Sequence, residues 1–296
     1  MSVARILFRR GPLIRCFSKS LFPNMSSVNA TAWESVVNRL KSLKSFRLHT
    51  GNMNNYVELK TRRYKSSSEE LVACLDMQFA NLSENVKVDD DGTLLLSAKE
   101  TPLTYDRDDL KITLKVFINE FSVKEVDAAV AAVLTQLKID SIEQLIIDFP
   151  HPGDDEIDNT WVEKVVGVWK ELEQHIQSGK IISIGVADFN LHALKELVNN
   201  VDIKPCVNHF SVDGCCVVPP ELQAFAQEND IQLLTHNDPH PFPLREVFQT
   251  ICTLNSKAPV CREIFVPTWA ARYTVWIRRR SIMASKGYIV QFESTA

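Results

Sequence analysis

From Lys111 onward the chain alternates short apolar runs with amphipathic helical patterns, and this alternation restricts the fold more than any other feature. Strand-like runs at 112–118, 144–149, 181–186, 206–210 and 231–235 are separated by helical patterns at 124–138, 161–178, 191–200 and 220–228. Parallel strands need a crossover of a dozen or more residues, usually a helix, so the pattern predicts a parallel sheet. A helix at 244–254, a helix after Pro267 carrying Trp269, Tyr273 and Trp276, and a last strand near 287–291 extend the series. Two further strands in the front third would bring the count to eight. The predicted fold is a single α/β domain over residues 32–296, a (β/α)8 barrel. In the run 112–118, Ile112, Leu114, Val116 and Ile118 would face the helices and Thr113 and Lys115 would face inward. A doubly wound sheet is apolar on both faces and accommodates an inward lysine less well.

The front third is less regular. Residues 32–49 read as a helix through Trp33, Val36, Val37, Leu40 and Leu43, stopped by Thr50-Gly51-Asn52, and 60–70 read as a charged linker. Ser67-Ser68-Glu69-Glu70 supplies a capping box for a helix with Leu71, Cys74, Leu75 and Phe79 on one face. Asp89-Asp90-Asp91-Gly92 reads as a solvated turn, because no EF-hand spacing follows.

Charge is unevenly spread. Residues 1–33 hold Arg5, Arg9, Arg10, Arg15 and Lys19 and no acid, leaving the remainder at 28 - 37 = -9. An acidic body is a poor match for nucleic acid. Residues 1–31 form a basic leader. Its first 24 residues read either as a mitochondrial presequence or as a disordered tail with Met25 as a second start. No run approaches the roughly 20 apolar residues of a membrane span. Seven cysteines without regular spacing fit a reducing compartment. A cytoplasmic location is expected, a mitochondrial one being the alternative through residues 1–24.

Polar groups gather at the strand ends of 204–239, where α/β proteins keep their sites. All nine glycines are isolated, so no glycine-rich phosphate loop exists. His236 and His240 lie in a proline-rich loop rather than on one helix face, so no metal is expected. Cys215-Cys216 reads as a redox pair, a tether to another chain, or two free thiols. Arg278-Arg279-Arg280 reads as an anion site or a solvated helix end, and the Trp269/Tyr273/Trp276 stripe as core or interface.

Particular residues carry a resemblance. The runs 145–150 (LIIDFP), 169–173 (WKELE) and 179–190 (GKIISIGVADFN) resemble the aldo-keto reductases. Residues 215–222, 230–239 (DIQLLTHNDP) and 285–289 (SKGYI) are similar to one branch of that superfamily, the glutamate-cysteine ligase regulatory subunits. Cys215, Cys216, His236, Asn237, Asp238 and Lys286 carry the branch signature. The resemblance covers about residues 40–292 and implies a reductase-like barrel that is not an enzyme. It implies a regulatory subunit that forms a heterodimer with the catalytic subunit of the ATP-dependent ligase. Association would raise glutamate affinity and weaken glutathione feedback in the first step of glutathione biosynthesis.

Reductases of this family need a tyrosine acid, a lysine beside it and a histidine that orients the carbonyl. Lys115 matches the lysine. Asp148 stands at the histidine position, where a negative charge opposes the charge developing on a reduced carbonyl. The family's nicotinamide contacts match Ala187, Asp188, His209 and His236, and Tyr56, Tyr64 and Tyr105 lie outside its tyrosine motif. The resemblance therefore implies relic catalytic positions at Lys115 and Asp148, which would form an ion pair, and no cofactor. The alternative is an active NADPH-dependent reductase, supported by Lys115; a third reading is a redox sensor built on Cys215-Cys216. Candidate partner contacts lie in 237–249 and in the exposed parts of 267–280.

Overall fold

The computed structural model of the chain describes residues 44–80, 87–88, 94–97, 104–151, 157–211, 218–254 and 265–295. Five parallel strands form one half of the sheet: β4 (Leu110–Ile118), β5 (Ile142–Asp148), β6 (Ile181–Ala187), β7 (Val207–Ser211) and β8 (Gln232–His236). Helices α3 (Val123–Leu137), α4 (Asn159–Gln177), α5 (Leu191–Asn200) and α6 (Pro220–Glu228) connect them in the expected order. Local chemistry starts these helices. Ser122, Asp158 and Asn190 each accept the backbone N–H three residues further on, inside the first turn. The apolar faces of these helices meet Ile112, Leu114, Val116, Leu145, Ile147, Ile184 and Val186 in the larger core. Thr113 and Lys115 point to the other face, as the alternation predicts.

The second half departs from the repeat. Residues 265–277 form strand β9 and 282–294 form strand β10, a long antiparallel hairpin. β9 pairs antiparallel with β4, and β10 with β1 (Ser45–His49). The short strands β2 (Lys87–Val88) and β3 (Leu94–Ser97) complete a ten-stranded order, β2-β3-β1-β10-β9-β4-β5-β6-β7-β8. The helix expected at Trp269–Trp276 is thus a strand, whose burial alternates along its length. Strand parity splits the aromatic stripe: Trp269 and Tyr273 enter the larger core, and Trp276 lines the opposite face. The three arginines at 278–280 end a strand, not a helix, and β9 lies between two strands rather than on a free surface.

Other corrections fall in the front third. Residues 45–49 are strand, not the end of a helix; the rest of the expected 32–49 helix lies outside the described residues. Residues within the supposed linker belong to α1 (Val57–Thr61) and to α2 (Ser67–Ala80). The cap of α2 forms one residue earlier than read: Ser66 Oγ accepts the Glu69 N–H, and Glu69 accepts the Lys65 N–H. Glu70, freed from capping, turns inward. The 89–92 turn, the 1–31 leader and Cys215-Cys216 all lie outside the described residues.

A second core packs α2 and α7 (Leu244–Leu254) against Phe46, Leu48, Ala270, Tyr288, Val290 and Phe292. This is the sheet face that also carries Lys115 and Arg272. Among the described residues the end strands β2 and β8 do not pair with each other. The sheet nevertheless curls strongly. Asp238, just beyond β8, bonds Lys115 of β4 and Arg272 of β9. Those strands lie four and five steps away, which in a flat sheet is about 19–24 Å at ~4.8 Å per strand.

Candidate functional site

The curl brings ionisable side chains together at the carboxyl ends of the parallel strands. Lys115 Nζ lies 2.7 Å from Asp238 Oδ2 and 3.5 Å from Asp148 Oδ2. Lys115 and Asp148 do approach each other, but Asp238 is the nearer partner. Arg272 closes on both oxygens of Asp238 in a fork, at 2.9 Å for the Nη2 contact. All three groups are nearly or wholly buried. Burial alone would push the Asp238 carboxyl up. The two cations outweigh it and hold the pKa well below the carboxylate range. Asp148 goes the other way: burial raises its pKa by more than Lys115 and His240 lower it.

Asp188 follows β6 with φ of 58°, a left-handed conformation that Asp tolerates. The turn aims its carboxylate across the strand ends. Oδ1 accepts the Ser211 N–H at 2.6 Å and Oδ2 lies 3.1 Å from His236 Nε2. Burial opposes this charge, but the His236 hydrogen bond prevails and lowers the Asp188 pKa. His236 in turn accepts the Asp238 N–H on Nδ1, which leaves the proton on Nε2. Its ring stacks on His209 at 5.3 Å between centroids. Burial and Lys115 depress His209 to about 4, so its imidazole is neutral.

Behind Arg272 the network continues into the second core. Tyr288 donates to Glu70 Oε1 at 2.6 Å, and Lys286 Nζ lies 2.6 Å from the same oxygen. Burial raises Tyr288 well above 10, opposed by Arg272 and reinforced by Glu70. A reductase acid needs the opposite shift. Between Lys286 and Tyr288, Gly287 meets a hard limit: a Cβ there would overlap the Gly51 carbonyl and the Tyr273 hydroxyl. The SKGYI run is therefore a packing motif joining β10 to α2 and to the 50–52 turn. Asn237 is exposed, its amide 3.5 Å from the Lys65 carbonyl.

Sequence reasoning thus found Lys115, Asp148, Asp188, His209, His236 and Asp238 at one mouth. It missed Arg272 and Tyr288, which a helical reading of 269–276 and a search limited to the earlier tyrosines both hid. Below the mouth the same sheet face borders a cavity of about 440 Å³, walled by Thr113, Gln144, Ile146, Leu234, Thr274 and Trp276.

Two kinds of ligand can be tested against these residues. A nicotinamide does not fit: the Asp188 carboxylate is already engaged, and the His236 ring already lies against His209. A cation finds more. Asp148, Asp188 and His240 each present one ligand atom within 4.8 Å of the others. The pair His236 and His240, considered in the sequence, is not the group that forms.

Residues 96–237 match the aldo/keto reductase family, spanning the parallel half of the sheet. A glyoxal reductase of Bacillus subtilis is 32% identical over 127 residues, 43% of this chain and 42% of that one. A longer match extends into the antiparallel half. The human glutamate-cysteine ligase regulatory subunit is 33% identical over 261 residues, 85% of this chain and 94% of that protein. The chain belongs to the glutamate-cysteine ligase regulatory subunit family. The mouse member aligns over the same extent at the same identity. Within this family the parallel half carries the reductase framework, and Lys286, Gly287 and Tyr288 belong to the half that the reductase match does not reach. No helix among the described residues is long and apolar enough to cross a membrane.

Proposed function

We propose that this chain is a non-catalytic regulatory subunit that binds the catalytic subunit of glutamate-cysteine ligase and raises its efficiency. The observation carrying this reading is the 33% identity over 94% of the human regulatory subunit. The mouth supports it. Lys115 is neutralised by Asp238 rather than poised beside a tyrosine of lowered pKa, and Asp148 presents a carboxylate where carbonyl reduction needs a donor. On this reading Lys115 and Asp148 are relics of a reductase site, retained because each helps to balance buried charge.

Regulation requires surface and a bias between conformations. The subunit must bind the more active state of its ATP-dependent partner more tightly than the less active one. The expected consequences are a lower KM for glutamate and weaker inhibition by glutathione. Partner contacts are proposed in 237–249, where Pro239, His240 and Phe242 leave the mouth and lead into α7. The reading predicts cytoplasmic residence, as for an enzyme acting on soluble metabolites.

Mixing the purified chain with the catalytic subunit tests this directly. Co-elution with a fall in glutamate KM supports it; separate elution with unchanged kinetics overturns it. NADPH oxidation by a panel of aldehydes, abolished by Lys115→Met, would establish the reductase reading instead.

A further inference from the structure

We propose that Asp148, Asp188 and His240 form a binding site for one divalent transition-metal ion, with zinc the ion suited to the donor set. The three residues come from separate elements: the end of β5, the turn after β6 and the loop after β8. His240 Nδ1 lies 3.5 Å from Asp188 Oδ2 and 3.9 Å from Asp148 Oδ1. Tetrahedral zinc holds nitrogen and oxygen ligands at about 2.0–2.2 Å, which sets neighbouring ligand atoms roughly 3.4 Å apart. The two His240 distances are close to or about half an ångström beyond that, and all three ligand atoms lie within 4.8 Å of one another.

A second observation points the same way. Asp148 Oδ2 and His240 Nδ1 are buried polar atoms without a hydrogen-bond partner, and Asp188 Oδ2 meets only His236. Asp148 is only 4% exposed. Buried polar atoms are almost always satisfied, and each orphan calls for a specific account. Lys115 approaches Asp148 Oδ2 only to 3.5 Å, which leaves His240 Nδ1 and the other Asp148 oxygen facing each other across the gap. Lys115 makes its hydrogen bond to Asp238, and His236 has the His209 carbonyl 3.1 Å from Nε2 as well as Asp188.

Charge agrees with geometry. Asp188 and Asp238 balance Lys115 and Arg272, and a divalent ion would hold ionised the Asp148 carboxyl, which burial otherwise pushes toward its neutral form. Imidazole with carboxylates is a donor set that zinc accepts and that calcium and magnesium, which prefer oxygen, do not favour. A bound ion would cross-link β5, β6 and the loop after β8, beside the Asp238 clamp that joins that loop to β4 and β9. This site is independent of the regulatory reading: partner binding can fail while zinc binds, and the reverse.

The full-length chain is stripped with chelator, and Zn2+ is added under calorimetry and thermal denaturation. One equivalent per chain and a raised Tm are expected. Asp188→Asn keeps the left-handed turn and removes the charge, and His240→Ala alters a partly exposed side chain. Each should weaken zinc by at least the roughly 10–100-fold that loss of even an outer partner costs. Zinc-edge absorption on the unmutated chain should show nitrogen and oxygen neighbours without sulfur. No uptake, unchanged uptake in both variants, or sulfur ligation from cysteines would overturn the proposal.

Discussion

The two halves of the sheet build the same mouth by different means. In β4–β8, the strands run five to nine residues and each leads into a helix, three of them started by a side-chain cap, and the polar residues sit at strand ends. In β1, β9 and β10 the strands of the hairpin run 13 residues each, and the groups reaching the mouth, Arg272 and Tyr288, come from mid-strand. The first half places charge by topology, the second by register. Where they meet, Asp238 joins them through Lys115 on one side and Arg272 on the other. Among the described residues the curl is thus held by ion pairs between strands that do not pair directly. Partners left alone in a buried pair are costly.

That contrast is broken most directly at Asp238. Asp238→Ala leaves Lys115 with only the longer Asp148 contact and takes from Arg272 its forked carboxylate, with an expected loss of about 3 kcal/mol in urea denaturation. Asp127→Ala, which removes an exposed pairing with His175, should cost less than about 1 kcal/mol. Equal effects would show that the clamp does not hold the halves together. Next in size, Gly287→Ala should cost about 1–3 kcal/mol, because the hairpin must shift from Gly51 or Tyr273. A neutral result would mean the SKGYI run tolerates movement that its packing denies.

Acid acts on both halves, through His209 in one and His49 in the other. His49, at the end of β1, is depressed from 6.5 to about 3 by burial and by Arg47. The fold holds it neutral while the unfolded chain protonates it below 6.5. Its contribution is present above that pH and is lost at about 1.4 kcal/mol per unit as pH falls toward 3. Asp238 has the same sign in a lower window, its contribution being lost only as pH falls below the unfolded value of 3.8. His49→Gln should flatten the stability profile between pH 6 and 4 by roughly that slope. An unchanged slope there would assign the acid sensitivity elsewhere.

The parallel half was legible because its signals are local. A cap, an amphipathic turn and an apolar run lie within one βα unit, so α5 and α6 fall where periodicity puts them. β9 was not, since Trp269, Tyr273 and Trp276 satisfy a helical spacing as well as an alternating one, and only pairing with β4 and β10 decides. Asp238 was legible as a signature residue but not as a clamp. Its role depends on a curl that brings β8 back to β4 and β9, which no local pattern encodes. Asp148 was read as the partner of Lys115 from the reductase pattern, which puts both at one mouth; Asp238, 123 positions away, has no catalytic place in that pattern.

The smallest expected effect concerns the other end of the same hairpin, where three consecutive arginines read as an anion site or a solvated helix end. The turn after β9 divides them. Arg278 donates to the Leu110 carbonyl at 2.7 Å and to Glu143 at 2.6 Å, tying β9 to β4 and β5 at the end opposite the mouth. Arg279 is 86% exposed and only 3.3 Å from Asp109. Arg278→Ala should therefore cost roughly 1 kcal/mol, discounted for its half-exposed side chain, and Arg279→Ala under about 0.5 kcal/mol. High salt should erase the second effect and leave most of the first, because the Leu110 bond is to a backbone carbonyl and is not an ion pair. If the two variants match at both salt concentrations, the arginines act as one charged patch, and the hairpin is anchored only at the mouth.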